Sequence, residues 1–140
     1  MSEPAKSGVQ ATQGAATVTV SYTLLVPGEL ITVNGTRGKH WSAYGPLVKL
    51  WRRDARLVAL AAQVPHCDKV RIIAVPMQCR GRLADPGAHA VCVKAAVDGL
   101  VDAGVIDDDD GSYVECIIQM APERVKARDE GIRIVIEEVK

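Results

Sequence analysis

Between residues 16 and 25 the chain alternates. Val18, Val20, Tyr22 and Leu24 fall on one face, and Thr17, Thr19, Ser21 and Thr23 on the other. A period of two rich in β-branched residues predicts a half-buried strand, which Pro27-Gly28 ends. From Pro46 to Gln63 the period becomes that of a helix. Leu47, Leu50, Trp51, Leu57, Val58 and Ala61 form its apolar stripe, and Pro65 stops it. Residues 69–77 (KVRIIAVPM) are almost continuously apolar, the pattern of an interior strand covered on both faces. A second helix is expected after Asp85, whose side chain suits an N-cap, with Pro86 at the first helical position. Gly104 suits the left-handed residue just past its end, and Val93, Val97, Leu100 and Val101 make its core stripe. Two further strands, 113–120 and 131–139, are joined by a charged turn over 122–130 and are expected to pair as a hairpin.

Strand–helix–strand–helix–strand–strand predicts an α/β fold, a small mixed sheet of about four strands with two helices packed on it. Residues 1–15 are expected to be a disordered leader, and residues 16–140 one domain, long enough to bury a core. The hydrophobic fraction of 48% agrees, and with no Phe that core must be filled by Val, Leu, Ile and Ala. No apolar run approaches the roughly 20 residues that span a bilayer. The start of the chain lacks the pattern of a secretory signal, so a cytoplasmic location is expected. Cys67, Cys79, Cys92 and Cys116 show no C-x-x-C spacing, which favours reduced, partly buried thiols over a zinc site.

The net charge of zero hides a segregation. From Arg37 to Arg82 there are ten Lys or Arg and two acids, whereas from Asp98 to Asp110 there are six aspartates and no base. The basic half suits a polyanion. Arg37, Lys39 and His40 sit in a loop with Trp41 and Tyr44, and Lys49, Arg52, Arg53 and Arg56 project from the first helix. Arg80 and Arg82 lead into Asp85. Cations of this kind contact phosphates, and the neighbouring rings can stack on unpaired bases. The alternative for Trp41 is an anchor to the core.

On the second helix Lys94, Asp98 and Asp102 share a face at i, i+4 and i+8. Asp107, Asp108, Asp109 and Asp110 follow it. Four adjacent acids repel one another unless solvent or a cation screens them, and carboxylates are the ligands Mg²⁺ prefers. Two readings stay open at this level: a solvated turn beside a Lys94–Asp98 salt bridge, or a metal site able to activate water on a phosphodiester.

Lys94, Asp98-Gly99-Leu100, Ala103-Gly104-Val105-Ile106 and Asp108-Asp109, followed by two strands, resemble the RusA-type Holliday-junction resolvases, and phage-encoded members most of all. Asn34, in a Pro/Gly-rich loop, also resembles that family's N-terminal segment. The resemblance spans residues 20–139. It implies a homodimer that acts in the bacterial host cytoplasm, cutting two strands of a four-way DNA junction symmetrically with Mg²⁺, or Mn²⁺ in its place. Carried over, Asp85, Lys94, Asp108 and Asp109 would be catalytic. Asp85, Asp108 and Asp109 would hold metal, and Lys94 would face the scissile phosphate. Where the family carries D-x-D-N, this chain reads Asp85-Pro86-Gly87-Ala88, nine residues before Lys94 rather than at the family's closer spacing. One ligand then has to come from His89, Asp98, Asp107 or Asp110. The alternative function is a branched-DNA-binding protein with weak or lost nuclease activity.

Overall fold

The computed structural model describes residues 18–32 and 41–140. Its elements are β1 (Val18–Pro27), α1 (Trp41–Ala61), β2 (Val70–Gln78), α2 (Ala90–Asp102), β3 (Val114–Gln119), β4 (Glu123–Arg124) and β5 (Gly131–Val139). The fold is α/β, with a mixed five-stranded sheet and two helices packed on it. Strand order is β1-β5-β2-β3, with the short β4 also pairing β2. β5 lies antiparallel to both β1 and β2, whereas β3 and β4 run parallel to β2.

This topology corrects the expected hairpin of the last two strands, because β2 separates β3 from β5. After β3 the chain continues beside β2 as β4, where Met77 pairs with Glu123. It then reaches over the end of β2, where Val125 N–H donates to the Gln78 carbonyl at 3.0 Å. A 3-10 turn at Ala127–Asp129 reverses it, and β5 returns between β2 and β1. β5 has hydrogen-bonding neighbours on both edges, and its alternate residues Ile132, Ile134 and Ile136 are all buried.

One face of the sheet carries the core. Rows across it run Tyr22–Ile136–Ile72, Leu24–Ile134–Ala74 and Val26–Ile132–Pro76. Against them pack Trp51, Ala55 and Ala59 from α1 and Cys92, Val93, Ala96, Val97 and Leu100 from α2. The other face has no helix among the described residues. There Ile73 and Val135 are half-buried and Ile118 is 42% exposed, while Val75 is buried, so among the described residues no helix covers this second face of β2 as its apolar run suggested.

Helix α1 is longer than its apolar pattern indicated and is rotated from it. It begins at Trp41, with Pro46 inside, so one early carbonyl goes without its usual helical donor. Its buried side chains are Trp51, Ala55 and Ala59, with Gly45 also buried, while Leu50, Leu57 and Ala61 face solvent. The reason is close approach to α2. A Cβ added to Gly99 would stand 2.8 Å from the Ala55 Cβ, so this crossing admits alanines and excludes leucines. Trp51 lies under the chain leaving β1, where its indole Nε1 donates to the Glu29 carbonyl at 2.9 Å.

Helix α2 starts later than Asp85. Gly87 has φ +85°, a left-handed conformation that breaks any helix running from Asp85. Asp85 to Ala88 form a turn instead, with Ala88 N–H donating to the Asp85 carbonyl at 3.0 Å, and His89 becomes the N-cap residue. The C-terminal expectation holds: Gly104 has φ +82°, and its N–H donates to the Val101 carbonyl.

Candidate functional site

Lys94 projects from the exposed side of α2, one turn before Asp98. Its ammonium Nζ is 2.7 Å from Asp98 Oδ1 and makes a second ion pair with Asp109 Oδ2. The helix alone brings Lys94 to Asp98. Asp109 is delivered by the chain past Gly104, which turns back because Val105 and Ile106 are buried. The two carboxylates raise the pKa of Lys94, Asp109 foremost, and the lysine hydrogen bond holds Asp109 below the usual carboxylate range.

The other acids of the patch have separate partners. Asp102 accepts two hydrogen bonds from Arg52 of α1, from Nε at 2.6 Å and Nη2 at 2.9 Å, and this lowers its pKa. Asp107 lies 3.1 Å from His66 Nε2. Asp108 accepts the Asp109 backbone N–H at 2.8 Å, and Asp110 that of Ser112 at 2.7 Å. The four consecutive acids therefore fan out along a turn, where each binds a different group.

Asp85 stands elsewhere. It lines an open groove of about 670 Å³ with Thr32, Arg82, Leu83, Ala84, Pro86, Gly87 and Ala88, and none of Asp98, Asp108 and Asp109 reaches that groove. Gln78 fixes its wall, donating from Nε2 to the carbonyls of Arg80 and Arg82 at 2.8 Å each and accepting the Ala84 N–H at 3.0 Å. Arg124 adds a hydrogen bond to the Gly81 carbonyl at 2.5 Å. No sequence pattern marked Gln78 or Arg124 as supports of this loop.

His89, an alternative ligand by sequence, is 3% exposed. Its Nδ1 lies 3.2 Å from the Ile31 carbonyl, which can only accept, so Nδ1 donates there and Nε2 is the ring's other nitrogen. That Nε2 is buried with no hydrogen-bond partner among the described residues. Cys92 Sγ takes the Ile31 N–H at 3.3 Å, and burial pushes this thiol up to about 11.

These placements test the fit of a Mg²⁺ centre. Among the described residues no three of His, Cys, Asp and Glu come together as a group able to hold a metal ion. Asp98 and Asp109 converge on one ammonium group, Asp68 and Asp107 on the two nitrogens of His66, and Asp85 belongs to a different groove. His89 Nε2 is buried without a partner among the described residues, but it is a ring nitrogen, whereas Mg²⁺ takes oxygen ligands and keeps waters. The donor set described does not fit the ion.

Of the cations assigned to DNA, Arg37, Lys39 and His40 lie outside the described residues, as do Asn34 and the Trp41 side chain. Lys49, Arg56, Arg80 and Arg82 are exposed. Arg52 is engaged by Asp102, and Arg53 by Asp54 at 2.8 Å, so both are partly spent within the protein. The long-range Arg52–Asp102 link joins residues 50 apart and had no signal in the sequence. No helix of the described residues is long and apolar enough to cross a membrane.

No family model and no curated protein matches this chain.

Proposed function

We propose that this chain is a RusA-like protein that binds branched DNA by its exposed cations, with Lys94, Asp98 and Asp109 serving as a clamp between α2 and the following turn. The observation that carries this reading is the state of Lys94. Its ammonium is held between two carboxylates, in the arrangement that neutralises an acidic turn. Asp85, which the resemblance assigns to the same centre as Asp108 and Asp109, lines a different groove with Arg82. Lys49 and Arg56 on α1 and Arg80 and Arg82 beside the groove supply phosphate contacts, which suffice for shape-selective binding without base readout.

A second reading, a Mg²⁺-dependent endonuclease that nicks junction strands in pairs, is favoured by one observation. Lys94 and Asp109 are 15 residues apart in sequence, yet they meet as the resemblance implies.

One gel separates the two: a synthetic four-way junction and a linear duplex of equal length, with EDTA, Mg²⁺ or Mn²⁺. The proposal expects a junction complex that survives EDTA and weakens steeply with salt, and no product. Equal retention of linear duplex, or none of either, overturns branched-DNA binding. Nicked product that needs metal and vanishes in Asp109→Asn establishes the second reading.

A further inference from the structure

We infer that the open edge of β1, overhung by Leu50 and Leu57 of α1, takes up an extended aliphatic segment of another protein as a further strand of the sheet. The register identifies the backbone groups left over. Gly28 N–H donates to the carbonyl of Glu130, directly opposite it, so the even-numbered residues of β1 exchange hydrogen bonds with β5. β5 turns its odd-numbered residues to β2 instead, as the bond from Val139 N–H to the Lys69 carbonyl shows. The N–H and C=O groups of Ser21, Thr23 and Leu25 therefore point away from the sheet, and no strand of the described residues lies on that side. All three residues are exposed, Leu25 by 63%. Such an edge is a template for another chain, and proteins usually guard it with lysine, proline or an inward charge. β1 has no Lys, Arg, Asp or Glu, and its one proline, Pro27, is its last residue. The opposite edge, β3, is shorter and carries Glu115.

The overhang follows from the side of α1 that meets α2. A Cβ on Gly99 would meet Arg52, Ala55 and Arg56, and Arg52 pairs with Asp102, so α2 lies along that side. At 3.6 residues per turn, Leu50 and Leu57 fall on the opposite side. α2 bridges the parallel strands β2 and β3, whereas β1 is the strand that α1 approaches most. There the Trp51 indole covers Gly28 and donates to the Glu29 carbonyl. The side of α1 turned away from α2 therefore projects beyond β1, with Leu50 and Leu57 42% and 47% exposed.

Edge and overhang together define the occupant. Unpaired N–H and C=O groups in a row call for another extended backbone, which a nucleic acid does not offer. Alternate side chains of an added strand continue the Tyr22–Leu24–Val26 face beneath the two leucines, so these are aliphatic. The intervening ones lie beside Thr23 and Leu25. Above the leucines α1 carries Lys49, Arg53 and Arg56 against one acid, Asp54, which pairs with Arg53. Acids flanking the aliphatic positions complement that rim, and lysines do not. Residues 1–17 of the chain itself do not match. They offer only Met1 and Val9 as large aliphatic side chains, and their charges, Glu3 and Lys6, cancel.

The probe is a fluorescein-labelled synthetic peptide as long as β1, in which valine and isoleucine alternate with threonine and an aspartate closes each end. Titrated with the chain, its anisotropy should saturate. A proline at the centre of the peptide, or lysines in place of the end aspartates, should each weaken binding at least about fivefold. Thr23→Pro removes one outward N–H at an edge position that accepts proline, and should weaken it at least about tenfold. Leu57→Asp, at an exposed site on the overhang, should do the same, and it decides the matter if circular dichroism shows Thr23→Pro unfolded. Amide exchange followed by NMR locates the contact: the peptide should slow the Ser21, Thr23 and Leu25 amides, which exchange fast without it, and leave Tyr22 and Leu24 unchanged. Absence of saturable binding overturns the proposal, as does binding indifferent to Leu57→Asp and to folded Thr23→Pro. Slow exchange of the three amides before peptide is added also overturns it, because the edge would then be taken by the chain's own residues or by a second copy. No readout here involves DNA, so this proposal and the DNA reading fail separately.

Discussion

Gly99 of α2 faces Ala55 of α1 so closely that a Cβ on Gly99 would lie 2.8 Å from the Ala55 Cβ and 3.0 Å from the Arg56 amide nitrogen. The aspartate–glycine pair at 98–99 thus combines two duties: Asp98 points out to Lys94, and Gly99 lets the helices touch. In an exposed helix interior, Gly→Ala would stabilise by about 0.5–1 kcal/mol. Here the sign reverses. Backbone atoms cannot yield as a flexible side chain can, so Gly99→Ala should destabilise by about 1–3 kcal/mol. Urea unfolding and the melting temperature measure this, and a rise in stability would contradict the observed crossing.

The Arg52–Asp102 and Lys94–Asp109 pairs give the acid limb of the stability curve. Both carboxylates titrate below their usual range because of their cations. A depressed folded-state pKa contributes stability that is present above the unfolded carboxyl value near 4 and is lost as pH falls through the folded value. Lys94 and Arg52 are more than half exposed, so solvent screening limits each pair to under about 1 kcal/mol. Asp102→Asn should therefore cost under about 1 kcal/mol at pH 7 and nothing measurable near pH 2. Urea titrations of both proteins at the two pH values check it.

Removing exposed cations should affect DNA and leave the fold alone. Arg56→Ala and Arg82→Ala are each expected to weaken junction binding and lower the salt slope by about one, with the melting temperature unchanged. Arg52→Ala should differ, lowering stability as well because it leaves Asp102 without its two donors. Gel-shift titrations over a salt series, paired with thermal melts, distinguish these cases.

The four cysteines are free and divide by environment. Cys67 and Cys92 are buried, and burial raises both thiols, Cys92 to about 11, so little thiolate is present at neutral pH. Cys116 and Cys79 are partly exposed. A thiol reagent at pH 7.5 should label at most two cysteines in the native protein and all four in denaturant. Peptide mapping should find Cys116 among the fast sites, and rapid native labelling of Cys92 would contradict its burial.

Local pattern was enough to find the long strands and both helices, though not β4 or the helix starts. The alternation before Pro27, the aliphatic run at 70–78, the glycine at 104 and the strand at 131–139 could each be read from neighbours a few residues apart, because they depend on side-chain period and backbone φ. The Lys94–Asp98 pair was legible for the same reason, being one helical turn long. What needed the tertiary structure was every relation between distant segments. β5 inserts between β1 and β2 instead of pairing β3, and no period in the last strand says which neighbours it takes. The inward side of α1 was misread because leucines score as core, while the actual contact at Gly99 has room only for alanines. The Asp85-to-Asp110 stretch read as acids at two ends of one helix. A left-handed Gly87 ends that continuity, leaving Asp85 in one groove and Asp109 on Lys94 in another place. Which acids can act together is a question of distance in space, and only the packed fold supplies it.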